Sequence, residues 1–355
     1  GFYLINANNN TIKNSNSSRN NYGFYLLSSS NNTLTNNNAS SNGNYGFFLT
    51  TSSNNNTLSN NTANSNAWGF QLESNANFNT LINNTASSNS EAALLLDSSF
   101  NTLTNNNASS NTRDGFYLGS SNNNTLINNT ANSNGFEGFF LVSKFNTLTN
   151  NTANSNNNGF RFDSTGDNNI LTNNIANSNS NDGFSLRSSS SSNILTNNTA
   201  NSNSNNGFYL QFSDNNTLTS NTANNNLDGI WLQSGSSNNT FTNNTANSNT
   251  KRGFTFNTDS EFNIFTGNSL HNNSQVNIWL CSASNNNITS NTLNASGYGI
   301  IIGNNVTTST CTTSPESNNT IMTNNIINNT GVWDIYLGNS TGGGNFSAYS
   351  INNSL

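Results

Sequence analysis

A tetrad of the form Gly-Phe-x-Leu returns along this chain at steps of mostly 21 to 24 residues. Its first position falls at Gly1, Gly23, Gly46, Gly69, Ala93, Gly115, Gly138, Gly159, Gly183, Gly207, Gly229, Gly253, Asn277, Gly299 and, after one longer interval, Asp334. A fixed period of this size is the signature of a solenoid, in which each repeat buries its apolar face only against its neighbours. Helical repeats need apolar residues at i, i+3 and i+4, whereas here they alternate, which is the period of a strand. Composition alone argues the other way. Charged residues make up 6 % of the chain, and Asn and Ser dominate, the profile of a disordered polymer. The fixed columns overrule it.

One period reads N-x-L-x-x-N-x-A-x-x-N, then a variable turn, then the tetrad, as in Asn32–Leu49. Alternation points Phe24, Leu26, Leu34 and Ala39 inward, and large Phe opposite small Ala suits a narrow core. Late in the chain Ile278, Ile300 and Ile335 replace Phe while Leu270, Leu293 and Ile326 replace Ala. Core volume lost on one strand thus returns on another. Ile230 with Ala223 has no such compensation and predicts a looser coil. The Asn columns through Asn32, Asn37 and Asn42 run nearly unbroken. They read as corner residues, since Asn tolerates left-handed backbone, stacked into hydrogen-bonded ladders; ligand binding is the alternative.

The expected fold is all-β: a single-stranded right-handed parallel β-helix of about 15 coils with three short strands each. It would be continuous over 1–337 with an insertion loop at 306–316, and 338–355 would form a tail that caps it or makes a polymer contact. Eight basic against fourteen acidic residues give a charge of −6, without the basic footprint of a nucleic-acid binder. No apolar run reaches the ~18 residues of a transmembrane segment. One His, one Met and two Cys leave little soft ligand for copper or zinc, so no cofactor is expected. Gly1 already lies inside a repeat, so the chain reads as processed or as a segment of something longer, with no amphipathic helix to cap its first strand.

The repeat resembles that of the NosD-like family of parallel β-helices, related to the carbohydrate-binding and sugar-hydrolase β-helix domains. Its Asn-rich form is similar to surface and secreted proteins of methanogenic archaea. The resemblance extends to about Leu337 and rests on structural residues. It implies the fold. Members include polysaccharide lyases and hydrolases, a periplasmic copper-site maturation protein and cell-surface proteins. None of the enzymes' catalytic motifs can be placed on this chain residue by residue, and the expectation is a protein that is not an enzyme.

Function is therefore sought in the outward columns. The third tetrad position carries Tyr3, Tyr25, Phe48, Tyr117, Phe140, Tyr209, Trp231, Trp279 and Tyr336, interrupted by Gln71, Arg161, Ser185 and Thr255. An exposed stripe of this kind marks an interface with a second copy or with sugar rings, unless it reflects β-propensity alone. Thr pairs such as Thr33/Thr35 and Thr102/Thr104 flank the inward Leu, a pattern that resembles ice-binding solenoids. Glu73 and Asp97, Asp114 and Glu137, and Asp163 and Arg187 occupy matching positions in neighbouring coils, and are expected to be solvated surface charge. Cys281 and Cys311 either form a disulfide across the insertion or remain two thiols. N-x-[ST] sequons place candidate glycosylation acceptors at Asn31, Asn55, Asn60, Asn83, Asn123, Asn128, Asn150, Asn197, Asn215, Asn238 and Asn243. The leading expectation is an extracellular structural protein of a cell-surface layer, sheath or fibre, self-associating end to end or laterally. The alternative is a carbohydrate-binding or polysaccharide-cleaving module with a surface polysaccharide as partner; an ice-binding solenoid is a minor third.

Overall fold

Residues that alternate in a strand pair best with an identical strand in register, and each tetrad does so with the tetrads one period away. In the computed structural model, which describes residues 1–303, 320–328, 330–338 and 351–352, Phe24 lies in parallel register between Phe2 and Phe47, and Leu26 between Leu4 and Leu49. The chain divides into two units, Gly1–Ala176 and Asn177–Leu355. In the first, eight tetrad strands, from Phe2–Ile5 to Asn158–Phe162, form one parallel stack. Eight N-x-L strands, from Thr11–Lys13 to Ile170–Thr172, form another. Among the described residues of the second unit, seven tetrad strands run from Phe184–Leu186 to Trp333–Gly338. Six N-x-L strands run from Ile194–Thr196 to Ile321–Thr323, and Ile351–Asn352 adds to their stack. Each unit is an all-β, right-handed parallel β-helix.

The third strand of each coil is mostly a single bridging residue, such as Asn38, Thr62 or Thr85. Among the described residues it widens into a three-stranded sheet at Ser269–His271, Thr292–Asn294 and Ile326–Asn328, where the Ala column gives way to larger residues. In the last of these the register differs from expectation. Ile327, not Ile326, pairs with the inward Leu293, and Ile326 is exposed. Ile230 is fully buried, with Leu218 in its own period and Phe241 in the next. The insertion at 306–316 lies outside the described residues. Within the 338–355 tail, the backbone of Ile351 and Asn352 pairs with Met322 and Thr323.

Inside, the Phe column stacks in runs, broken in the first unit at Leu94. Phe24, Phe47 and Phe70 have ring centroids 4.7–4.8 Å apart and nearly coplanar, as do Phe116, Phe139 and Phe160 at 4.6–4.7 Å. The tetrad Gly also points inward. A Cβ on Gly138 would stand 2.6 Å from the Ala153 Cβ and 2.7 Å from the Gly159 carbonyl oxygen, so only glycine fits there. Gly and Phe facing the same side break the strand's alternation, which sends the residue before the Gly to the outer face.

The Asn columns divide the labour that the sequence reading assigned to one residue. Most ladder Asn offer Oδ1 to both the backbone N–H and the Nδ2 of the Asn one coil earlier, and all of those at Asn61 to Asn151 in the second column do so. Asn61 accepts from Asn37 at 2.9 and 3.1 Å, while its own Nδ2 donates to the Leu34 carbonyl at 2.9 Å. Asn84, Asn106, Asn129 and Asn151 continue the chain of bonds. The left-handed backbone falls instead on the residue just before the ladder Asn: Asn36, Asn60 and Asn83 have φ of 55°, 54° and 54°. One Asn bends the chain and the next ties the coils together, leaving few buried amides unpaired.

Candidate functional site

With Gly and Phe turned inward, the residue before the Gly and the third tetrad residue share the outer face of the tetrad strands. The Tyr22 ring lies 5.3 Å from Tyr25 and 5.9 Å from Phe48. The aromatic stripe is therefore not the open apolar surface expected. Tyr25 stacks on Phe48 at 5.3 Å, Tyr117 on Phe140 at 5.2 Å, and Tyr209 meets Trp231 edge-on at 6.0 Å. Phe48, Tyr209 and Trp279 are almost buried, Tyr25, Tyr117, Phe140, Trp231 and Tyr336 are half-buried, and Tyr3 is exposed. The reason is spacing: at ~4.8 Å between strands, each ring covers its neighbour.

The charged residues depart further from expectation. Asp114 and Glu137 are 4 % and 3 % exposed rather than solvated, and they belong to one network in the first unit. Asp114 Oδ1 accepts the Glu137 backbone N–H at 3.0 Å. Glu137 Oε1 accepts from Arg161 Nη1 at 2.9 Å and Asn158 Nδ2 at 3.3 Å. Arg161 Nη2 reaches Asp163 at 2.7 Å, and its guanidinium lies 5.3 Å from the Phe140 ring centre. Glu137 Oε2 and Arg161 Nε are buried without a protein partner. Burial, only partly offset by the Glu137 N–H and reinforced by the Glu137 carboxylate, pushes the Asp114 carboxyl up to about 6. Burial also raises the Tyr117 hydroxyl, with Asp97 and Asp114 adding to it. The arrangement joins a carboxyl that titrates near neutrality, a carboxylate fixed by arginine and two half-exposed rings. Paired carboxyls held in unlike environments are the usual means of separating an acid from a base.

The second unit repeats the theme without repeating the residues. Arg187 bonds Asp182 at 3.0 Å and lies 4.9 Å from the Tyr209 ring centre. Arg252 bonds Asp228 at 2.9 Å between the rings of Trp231 and Trp279. Burial raises the Asp228 carboxyl against the pull of Arg252.

A second aromatic set escaped the sequence reading. Phe78, Phe100, Phe145 and Phe262 stand where other coils place the corner Asn, with φ of 55–59°. All are about half exposed (48–55 %), and Phe78 stacks on Phe100 at 5.2 Å. The signal was present as Phe-Asn where the repeat has Asn-Asn. All eleven candidate sequon acceptors occupy exposed left-handed corners. Cys281 is fully buried, and no described cysteine is a free thiol; Cys311 lies outside the described residues, so its pairing with Cys281 stands as a proposal.

Set against known proteins, this geometry defines a right-handed parallel β-helix of the kind found in polysaccharide-modifying enzymes. The periplasmic alginate epimerase AlgG superimposes with a TM-score of 0.59 at 14 % identity, over 94 % of this chain and 78 % of its own. The A-module of Azotobacter vinelandii mannuronan C-5 epimerase AlgE6 gives 0.61 at 14 %, over 95 % and 87 %. The catalytic domain of a GH87 α-1,3-glucanase gives 0.52 at 13 %, over 91 % and 64 %. No curated protein matches in sequence. Residues 69–182 and 132–279 match the family described as periplasmic copper-binding protein (NosD), and residues 1–108 match the right-handed β-helix region. The NosD matches together span more than half of the chain, which belongs to that family.

One expectation is revised by these matches. The fold is shared with epimerases and a glucanase, which overturns the reading of the chain as a non-enzyme. That reading inferred inactivity from a missing motif, whereas a β-helix assembles sites from residues a full coil apart. Copper, by contrast, does not fit the donors in place. Among the described residues no three His, Cys, Asp or Glu converge. His271 Nε2 is bound to Ser269 Oγ at 2.6 Å, and Met322 is buried in the core.

Proposed function

We propose that the chain is an extracytoplasmic polysaccharide-active module that takes a glycan along the outer face of the tetrad strands in the first unit. The observation that carries this reading is the Asp114–Glu137 pair, with Asp114 titrating near 6 and Glu137 Oε2 unpartnered. Asp114 acts as the general acid, with a pKa near the one that role asks for at mildly acidic pH, and Glu137, held by Arg161 and Asn158, acts as the base. A substrate hydroxyl would satisfy Glu137 Oε2, and a uronate carboxylate would satisfy Arg161 Nε. Tyr117 and Phe140 offer ring faces to the sugar. Support also comes from the periplasmic and sugar-active relatives named above.

The test is binding and product analysis with uronate polymers and with α- and β-glucans. Uronate binding should fall at least about tenfold in Arg161→Gln, about 1.4 kcal/mol. Turnover should vanish in Asp114→Asn and in the native protein decline as pH rises past about 6. Absence of binding and turnover with every polymer, or full turnover by Asp114→Asn, would overturn the assignment.

The exposed sequon corners favour a second reading, a glycosylated surface protein that self-associates. Native material should then carry N-glycans and form assemblies visible by electron microscopy. Unmodified monomers would remove it.

A further inference from the structure

We propose that the second unit holds a separate binding cleft for an amino-sugar ring, in the turns that follow its tetrad strands. The cleft measures about 450 Å³ and is lined by Phe212, Asp214, Ser234, Gly235, Thr258 and Asp259, within the ~300–1,000 Å³ range of small-ligand sites. It arises from unequal turns. Residues 211–215 join Leu210 to its ladder Asn, whereas 233–238 and 257–262 make the same connection in the next two coils. The shorter turn leaves a recess beside the longer ones. Gly235, at φ +74°, has open space where a Cβ would stand.

The lining has the chemistry of a sugar site. Phe212 is 55 % exposed and offers a ring for the apolar face of a pyranose. Ser234 and Thr258 occupy the same column one and two coils on and supply hydroxyls. Asp214 uses Oδ1 to accept the Ser237 N–H at 2.7 Å. Neither Asp214 nor Asp259 has an ion-pair partner among the described residues. Two uncompensated carboxylates beside one aromatic ring repel a uronate and attract an ammonium held next to an apolar ring face. They also fall short of the six to eight oxygens that calcium gathers. A hexosamine with a free amine satisfies all of these groups together. The inference is independent of the first-unit site, because it uses other residues and the opposite charge preference.

Titration calorimetry on the whole chain at physiological salt, with the glucosamine trimer and its N-acetylated counterpart as probes, tests it. The trimers share a sugar backbone and differ at the nitrogen, which is a charged amine in one and a neutral acetamide in the other. The free-amine trimer should bind at least about tenfold more tightly. Phe212→Ser and Asp259→Asn should each weaken it by at least about tenfold, while Asp114→Asn should leave it unchanged. Ser already stands in the Phe212 column at Ser28 and Ser234, so that variant keeps the fold. No saturable binding, equal binding of the two trimers, or undiminished binding by Phe212→Ser would each overturn the proposal.

Discussion

The Asn ladder through Asn106, Asn129 and Asn151 and the acid pair Asp114 and Glu137 are built on the same stretch of chain, yet they solve burial in opposite ways. In the ladder every group meets a copy of itself one coil away. Asn129 Oδ1 accepts two bonds from Asn106, and its Nδ2 gives two away. Identity makes each residue its neighbour's partner, so the column extends without unsatisfied ends. A carboxylate cannot do this, because its copy repels it. Asp114 and Glu137 in successive coils must recruit Asn158 and Arg161 from the coil beyond, and Glu137 Oε2 is still left over. Periodicity therefore marks what the scaffold needs for itself. Positions that break the period while staying buried carry energetic tension, and such tension is where a ligand or a proton has something to contribute.

If this contrast is right, the largest loss should come from stranding a non-repeating charge. Asp228 is 0 % exposed and its Arg252 partner 8 % by side chain. Arg252→Met should destabilise by about 3–5 kcal/mol, since a buried charge left alone is far worse than none. Adding Asp228→Asn should recover most of that. Guanidinium melts of the single and double variants decide it; additive losses would break the comparison by showing the pair to be unlinked. Next comes the ladder. Asn129→Ala removes an amide that satisfies two coils and orphans buried groups on both sides, for about 2–4 kcal/mol. Equal loss at Asn151→Ala would confirm that ladder positions are interchangeable, which outer-face positions are not.

How much of this could be read from the sequence follows from the same contrast. Phe47, Leu34 and Asn37 declare themselves because each recurs every coil and its neighbour is known in advance. The charge state of Asp114 answers to Glu137, Arg113 and Arg161, three residues spread over three coils, and no column predicts what they do together. The outward turn of the residue before the Gly was also hidden. It follows from a glycine pressed against Ala153, a contact that strand alternation does not anticipate. The corner phenylalanines were present as a broken pattern, Phe-Asn where the repeat has Asn-Asn, but the pattern carried no message until their exposure was known.

Acid response gives the next, smaller effect. Asp114 binds a proton more tightly folded than unfolded, with its carboxyl raised from 3.8 to about 6. The folded state therefore holds more protons between those values, and stability falls as pH rises from about 4 to about 6. Above that window Asp114→Asn should be more stable than the parent by about 2–3 kcal/mol, the worth of roughly two pKa units. The Asn keeps an oxygen for the Glu137 N–H. Melting temperatures from pH 4 to 8 should show the parent declining more steeply than the variant, in which Asp228 still titrates; parallel curves would mean that Asp114 is not a titrating group. A variant both more stable and inactive would show that the carboxyl is retained against the interest of the fold.

The smallest effect separates strain from packing at the corners. Phe145 holds φ at 59° while exposing half its surface, and a left-handed backbone disfavours a side chain of this kind by roughly 1–2 kcal/mol, with Asn more tolerant of it. Phe145→Asn restores the residue that most coils place there, so it should stabilise by up to about 1 kcal/mol in a host that does not glycosylate the sequon it creates. Phe100→Asn should gain less, because it also gives up the stack on Phe78. If Phe145→Asn instead destabilises, the ring makes a packing contribution at its corner. The corner phenylalanines would then belong to the scaffold side of the comparison rather than to its working surface.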